Sequence, residues 1–251
     1  MKKDTSWGGV ADWYNTLLEE EKDTYQAQVI APNLLRLLKL EPDMAVLDLA
    51  CGQGFFSRLF KQAGATVTGV DIAPELIAIA KQKSPEITWH VAPAENISML
   101  PDASFQAITI VLAAQNIADL RTAFTECARV LKPNGKLLFV LNHPAFRVPQ
   151  FSSWGFDEAA MAQYRRVDRY LSESKSEISM HPGVAPSETT VSFHRSLQWY
   201  MKALRGAGFA MTGMEEWISH KVSDSGPRKD AENRARKEIP LFLCVEASKL
   251  H

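Results

Sequence analysis

The sequence predicts an α/β fold: a doubly wound, mainly parallel seven-stranded sheet with helices on both faces. Apolar, strand-like runs alternate with helical patterns from Val46 to Leu141. The connections between them are short, which is typical of a parallel sheet covered on both faces. Two further strand-like runs follow near the C-terminus with no apolar helix between them, and this predicts a closing antiparallel pair.

Each element follows from its own residues. The first 45 residues are predicted to be helical because their apolar side chains recur at helical intervals. Strands are predicted at 46–50, 66–71, 87–91, 105–112, 136–141, 209–218 and 239–247. Helices are predicted up to about residue 62, after Pro74, and at about 120–131 and 197–205. The charged segment 219–238 is predicted to be a loop.

The periodicity breaks between residues 143 and 195, a stretch punctuated by prolines and rich in aromatic residues. So long an excursion within a compact domain is usually functional or disordered, and the aromatic content favours an ordered segment. We therefore expect one domain over 1–251, with N-terminal helices at 1–45 and a substrate cap inserted at about 143–195.

Composition excludes several classes of protein. Lys and Arg number 28 against 29 Asp and Glu, a formal charge of −1, so no overall field attracts nucleic acid or a membrane surface. The three cysteines have unrelated spacings, which argues against a disulfide framework or a thiolate metal site. No apolar run approaches the roughly 18 residues of a membrane span. These features predict a soluble protein in a reducing, cytoplasmic setting, with no metal site.

The segment 46–60 is the strongest motif, because a strand runs into a glycine turn that opens a helix. Gly52 and Gly54 permit a sharp turn and the close approach of a ligand to the backbone, which is typical of nucleotide binding. In the dinucleotide-binding fingerprint a third glycine would fall at Ser57. Its absence argues against a dehydrogenase.

An acidic residue in the strand, then alanine, Cys-Gly and x-Gly form the pattern Asp48, Ala50, Cys51, Gly52, Gln53 and Gly54. With this pattern the chain resembles the class I, Rossmann-like methyltransferases that use S-adenosylmethionine, in particular small-molecule methyltransferases. The resemblance covers about residues 30–142 and the closing elements, and it is poor across the insertion. It implies S-adenosylmethionine as the cofactor.

The resemblance assigns roles to residues around the first two strands. Gly52 and Gly54 would let the methionine portion lie against the backbone, next to Ala50, and Asp48 would face its ammonium group. Asp71, at the end of the second strand, would accept both ribose hydroxyls. Ile72 would pack on the adenine. The alternatives are a turn-forming acid at Asp48 and a helix cap at Asp71.

Further contacts are implied at three other places. The segment 90–97 would hold the adenine edge; it has Pro93 where many relatives have an aspartate, which leaves the Ala94 N–H and the Glu95 carboxylate as partners. The loop after the fourth strand would present Ala113 and Gln115 to the methionine end. From the N-terminal helices, Tyr14 and Tyr25 would cover the cofactor, unless they pack in the core.

An acceptor that must lose a proton needs a general base. His143, just past the fifth strand, is the first candidate, because ligands bind at this edge of open α/β sheets. His194 and Tyr164, both in the insertion, are the next candidates. The alternative for each is a capping, surface or packing role.

The insertion's aromatic residues and zero formal charge favour a closed pocket for a small organic acceptor over a basic groove for nucleic acid. After its fourth strand the chain also lacks an Asn-Pro-Pro-Tyr motif, which is associated with methylation of base or glutamine amides. Two alternatives remain open: an RNA or protein methyltransferase, and a protein that binds S-adenosylmethionine without catalysis.

Overall fold

The computed structural model describes Trp7, residues 23–181 and residues 185–250; for 179–181 and 185–188 it describes the backbone alone. Tyr14 lies outside the described residues. The strands are β1 Ala45–Leu49, β2 Thr66–Asp71, β3 Thr88–Val91, β4 Phe105–Val111, β5 Leu131–Asn142, β6 Ser152–Asp157, β7 Ala162–Val167, β8 Ser174–His181, β9 Ala185–His194, β10 Phe209–Trp217 and β11 Phe242–Lys249. The helices are α1 Ala31–Leu38, which continues a π-helical turn Gln26–Ile30, α2 Phe55–Gln62, α3 Pro74–Lys83, α4 Leu120–Val130, α5 Leu197–Gly206 and α6 Lys229–Glu238.

Seven strands form one sheet in the order β10-β11-β5-β4-β1-β2-β3. The pairs from β5 to β3 are parallel, whereas β11 runs antiparallel to both β5 and β10. The predicted fold class is therefore confirmed, including the closing antiparallel pair. Chain order reverses at β1, with β4 on one side and β2 on the other.

The core occupies both faces of this sheet, because successive strand residues point to opposite sides. In β5, Leu137, Phe139 and Leu141 pack against α4 and α5, while Leu138 and Val140 pack on the face covered by α1 and α2. This two-sided burial explains why the strands are nearly continuous apolar runs in the sequence.

The inserted segment is made of two antiparallel hairpins, β6-β7 and β8-β9. Gly155 of β6 faces Tyr164 of β7, and a Cβ atom on Gly155 would lie 2.4 Å from the tyrosine ring. The ring thus covers the glycine across the hairpin. The backbone N–H of Phe193 donates to Gln115 O (2.7 Å), which ties β9 to the loop after β4.

The prediction of a loop at 219–238 was wrong for its second half, which forms α6. This helix is charged almost throughout and buries only Ala231 and Ala235, so no apolar stripe marked it in the sequence. Among the described residues no helix combines the length and the hydropathy of a membrane span. Cys51, Cys127 and Cys244 are free thiols.

Candidate functional site

The glycine turn between β1 and α2 is built from residues with left-handed backbone. Ala50, Gly52 and Gly54 have φ of 58°, 57° and 82°. At Gly54, which begins α2, an added Cβ would also lie 2.4 Å from the Trp89 ring. Position 54 therefore needs glycine for two reasons: its backbone conformation is left-handed, and the Trp89 ring leaves no space for a side chain.

Asp71 fastens this turn to the end of β2. Its Oδ2 accepts a hydrogen bond from the Gly52 N–H (2.8 Å), and its Oδ1 accepts one from the Ala73 N–H (2.9 Å). Burial raises the pKa of the carboxyl, and these two hydrogen bonds oppose that shift. Each oxygen retains a lone pair, so the group could accept two more hydrogen bonds from a ligand.

Asp48 lies on β1 and is almost completely buried. The Ser57 hydroxyl donates to its Oδ2 (2.5 Å) and the Thr109 hydroxyl donates to its Oδ1 (3.1 Å). Burial raises the pKa of Asp48 to about 6 despite these two hydrogen bonds. A cation placed beside this carboxyl would favour its ionised form.

A cavity opens at the carboxyl ends of β1, β2, β3 and β4, where the chain order of the sheet reverses. It holds about 1090 Å³ of empty space, part of it open to solvent. In open α/β sheets this crevice is the place where ligands bind. We call it the first cavity.

Two buried side chains in its wall carry polar atoms with no partner among the described residues. Gln53 is fully buried, yet neither its Nε2 nor its Oε1 is hydrogen-bonded. Asn116 donates to Val191 O (2.8 Å), but its own Oδ1 has no partner. Buried polar groups are nearly always satisfied by protein, water or a bound ligand. The cavity wall is therefore suited to a polar ligand.

The structure brings most of the predicted cofactor residues to this cavity: Asp48, Ala50, Gly52, Asp71, Ile72, Ala94, Glu95 and Ala113. Ile72 is 43% exposed, so an apolar surface faces the space. Glu95 has a partner already, because its Oε1 accepts from the Asp119 N–H (3.3 Å).

Three predicted cofactor residues do not line the first cavity, and their placements are corrected: Gly54, whose α-carbon faces the Trp89 ring, Tyr25 and Gln115. The Tyr25 hydroxyl is 3.2 Å from Ser219 Oγ, and its ring packs edge-on against Phe242, so it joins the C-terminal strand instead of the first cavity. The Gln115 amide turns away from the first cavity: its Nε2 donates to Leu112 O (2.7 Å).

Sequence reasoning assigns no individual role to several residues that line the first cavity: Trp7, Gln26, Cys51, Gln53, Phe55, Phe56, Leu76, Ala92, Pro93, Val111, Leu112, Asn116 and Ile117. Gln53 could have been identified from its place inside the glycine turn, and Asn116 from its place in the loop after the fourth strand. The apolar members carry no local signal, because only the folded chain brings them together.

Comparison with known proteins identifies the central part of the chain. Residues 47–139, which carry the glycine turn and both aspartates, match the family described as "Methyltransferase domain". This part of the chain is a methyltransferase domain. A solved S-adenosylmethionine-dependent methyltransferase from Mesorhizobium loti is similar over 86% of this chain and 96% of its own, with a TM-score of 0.69 and 28% identity.

The curated relatives match only part of the chain around this methyltransferase domain. Demethylmenaquinone methyltransferase of Chlorobaculum parvum is 36% identical over 125 residues, which are 49% of this chain and 52% of the relative. Ubiquinone biosynthesis O-methyltransferase of Xanthomonas oryzae pv. oryzae is 35% identical over 96 residues, 37% of this chain and 40% of the relative. The chain thus spans about half the length of the curated relatives that it matches.

A second cavity lies beside the methyltransferase domain, between the end of β5 and the inserted hairpins, with about 710 Å³ of empty space. Its polar side chains are Gln115, Asn142, Arg147, Gln150, Ser152, Arg165, Ser192, His194, Arg195 and Tyr200. The loop 112–117 separates the two cavities, since Ala113 and Asn116 line the first and Gln115 lines the second.

The structure does not favour His143 as a base. Its Nδ1 accepts from the Ala145 N–H (3.2 Å), so Nε2 carries the proton and donates to Glu216 Oε1 (2.7 Å). Burial lowers the pKa of His143. It lines neither cavity, and with both nitrogens engaged it fixes β5 to β10.

The other two candidates differ in position. Tyr164 lies on the insertion as predicted, but it is 51% exposed, covers Gly155 on the hairpin surface and lines neither cavity. His194 is buried in the wall of the second cavity, and its Nε2 donates to Tyr170 O (2.7 Å). A neutral imidazole then has Nδ1 as its acceptor.

In the part of the chain that the structure describes, His, Cys, Asp and Glu form no group of three that could hold a metal ion.

Proposed function

We propose that this protein transfers the methyl group of S-adenosylmethionine to a small organic acceptor. The first cavity carries this proposal, because Asp71 presents free lone pairs beside the glycine turn at the reversal point of the sheet. The methyltransferase domain at 47–139 and the similarity to a solved S-adenosylmethionine-dependent methyltransferase support it.

The residues of the first cavity fit this cofactor. Asp71 accepts the two ribose hydroxyls with the lone pairs that its backbone hydrogen bonds leave free. Ile72 supplies an apolar surface for the adenine. Asp48 supplies negative charge for the ammonium group, and the unpartnered amide atoms of Gln53 and Asn116 gain hydrogen-bond partners.

When bound, S-adenosylmethionine supplies a methyl group on a positively charged sulfonium, which is electrophilic without further activation. The protein therefore needs to align the acceptor and to exclude water. Phe55, Phe56 and Leu76 give the first cavity an apolar wall suited to that task, and Trp7 packs with Leu76 at its edge.

The acceptor side is assigned to the two inserted hairpins, which form a cap attached to a single catalytic domain. Relatives named demethylmenaquinone methyltransferase and ubiquinone biosynthesis O-methyltransferase support a small-molecule acceptor, and the formal charge of −1 does not favour nucleic acid. For an acceptor that must lose a proton, His194 is the candidate base, because its Nδ1 is the acceptor atom of a cavity-lining histidine. The free thiols fit a reducing cytoplasm.

Turnover of S-adenosylmethionine labelled in its methyl group tests the proposal. The purified protein is incubated with a metabolite extract, and label is followed into small molecules, protein and RNA. We expect label in a small product together with release of S-adenosylhomocysteine. A boiled sample of the same protein serves as the control.

The other outcomes separate the alternatives. Label in protein or RNA would overturn the small-molecule acceptor while keeping the enzyme class. Binding of the cofactor without transfer to any fraction would indicate a non-catalytic binding protein. Absence of cofactor binding would overturn the proposal as a whole.

A further inference from the structure

The second cavity is lined by cationic groups without anionic ones. Arg147, Arg165 and Arg195 all contribute to its wall, whereas no Asp or Glu does so among the described residues. None of the three arginines forms an ion pair within the part of the chain that the structure describes. Charges removed from water in this way are destabilising unless a counter-charge arrives.

Of the three arginines, Arg147 has the guanidinium that its surroundings compensate least. Its Nε is buried and has no hydrogen-bond partner among the described residues. Burial and the neighbouring charge of Arg165 lower the pKa of its guanidinium, which reflects an environment that lacks a compensating anion. Arg147 follows shortly after the end of β5, at the edge of the sheet where ligands bind.

Arg165 is held in place beside it. Its Nε donates to Phe146 O (2.8 Å) and one terminal nitrogen donates to Ser152 Oγ (2.7 Å). Both guanidinium groups lie over the Trp154 ring, at 5.8 Å for Arg147 and 5.2 Å for Arg165. The indole thus fixes two like charges near each other without neutralising either.

Arg195 has a different role, because its guanidinium is used within the protein. It donates to Ile117 O and Ala118 O at 2.8 Å each and stacks on Trp199. It therefore fixes the loop that separates the two cavities and is a positioning residue.

Part of the wall of the second cavity is apolar and includes Leu141, Val148 and Phe193. We propose that this cavity binds a small molecule with an apolar body and a carboxylate, and that Arg147, supported by Arg165, pairs with that carboxylate. The proposal rests on the proposed function in one respect: the bound molecule is the methyl acceptor.

Planar carboxylates suit arginine because two parallel N–H groups meet two oxygens. The Nε that lacks a partner in Arg147 is one of the donors required for such a pair. The adjoining apolar wall accommodates the body of the ligand, and the shared loop 112–117 places this site next to the first cavity.

Benzoate is the probe, and benzamide is its neutral counterpart of the same shape. The Nε–Hε resonance of Arg147 is followed by NMR and assigned by its loss in Arg147→Met. We expect it to move with millimolar benzoate and to stay in place with benzamide. Arg147→Met, which removes the charge but keeps an apolar side chain, should weaken benzoate binding by about tenfold or more.

Arg166→Met is the matched control. Arg166 neighbours Arg165 on the same strand, but it is 68% exposed, pairs with Asp168 (2.8 Å) and lines neither cavity. It should bind benzoate like the wild type. An Arg147 resonance unmoved by benzoate, an equal response to benzamide, or undiminished benzoate binding by Arg147→Met would overturn the proposal.

Two further readouts separate this proposal from the proposed function. Calorimetry with S-adenosylmethionine should give equal affinity for the wild type and Arg147→Met, because Arg147 does not line the first cavity. Failure of the wild type to bind the cofactor would remove the proposed function and leave the benzoate result intact. In the labelled turnover, the product should be retained on an anion-exchange resin at neutral pH; a neutral product would contradict the assignment of the acceptor.

Discussion

Ser57 shows how one residue distinguishes this glycine turn from that of a dehydrogenase. It occupies the position of the third glycine, is fully buried, and donates its hydroxyl to Asp48 Oδ2 at 2.5 Å. A glycine could not make this hydrogen bond. Two residues distinguish this turn from the dinucleotide-binding pattern: an acid inside β1 and a serine in α2. The two are hydrogen-bonded to each other.

The pKa of Asp48, raised to about 6 by burial, predicts a pH dependence of cofactor binding. A cationic ligand favours the carboxylate, so binding releases a proton, and affinity should fall as the pH decreases through about 6. Calorimetric titrations between about pH 5 and pH 8, in buffers of different ionisation enthalpy, measure both effects.

Asp48→Asn is the matched variant, because it removes the titration and retains an oxygen for Ser57. It should bind S-adenosylmethionine more weakly at neutral pH and release less proton near pH 6 than the wild type does. An unchanged pH profile in this variant would remove Asp48 from the proposed ammonium contact.

His143 shows the limit of prediction for a single residue. Its place after β5 was predicted correctly, and ligands do bind at that edge of such sheets. Its partner, Glu216, is distant in sequence and reaches it only because β11 brings β10 towards β5. The sequence predicts where the histidine lies along the chain, but it cannot show that the imidazole is already engaged.

At the level of elements, prediction succeeded where a strand or helix is defined by its own residues. β1, β2 and α2 combine apolar runs with glycine or proline boundaries, and the structure has them within a residue of the predicted bounds. The hairpins of the insertion depend on pairing across strands, such as Gly155 with Tyr164, and their local sequence has no clear alternation. α6 was missed because it buries two alanines alone.

The junction of β1 and α2 gives an element-scale prediction. Gly54→Ala places a methyl against the Trp89 ring and forces alanine to φ near 82°, so the free energy of unfolding should fall by about 2 kcal/mol or more. Urea denaturation measures this change.

Gly206→Ala is the control for that measurement. Gly206 ends α5, has no left-handed φ, and an added Cβ there would meet no atom within 4 Å, so the substitution should be neutral or slightly stabilising. Equal stabilities for the Gly54 and Gly206 variants would contradict the described packing of the glycine turn.

In the whole molecule, the sheet places two cavities on either side of the loop 112–117. The first lies where chain order reverses, and its position follows from the topology that the sequence predicts. The second depends on where the inserted hairpins fold back against β5, through contacts such as that of Phe193 with Gln115. Long-range contacts of this kind leave no pattern along the chain, which is why the arginines of the second cavity were not predicted to act together.

Calorimetric binding of S-adenosylmethionine to the wild type and to Asp71→Ala measures whether the first cavity holds the cofactor through Asp71. The control is Asp224→Ala, which removes an exposed aspartate that lines neither cavity. We expect binding by the wild type and the control, with a loss of about 1–3 kcal/mol of binding free energy in Asp71→Ala as hydrogen bonds to a charged group disappear. No binding by the wild type, or full affinity in a folded Asp71→Ala protein, would contradict this expectation.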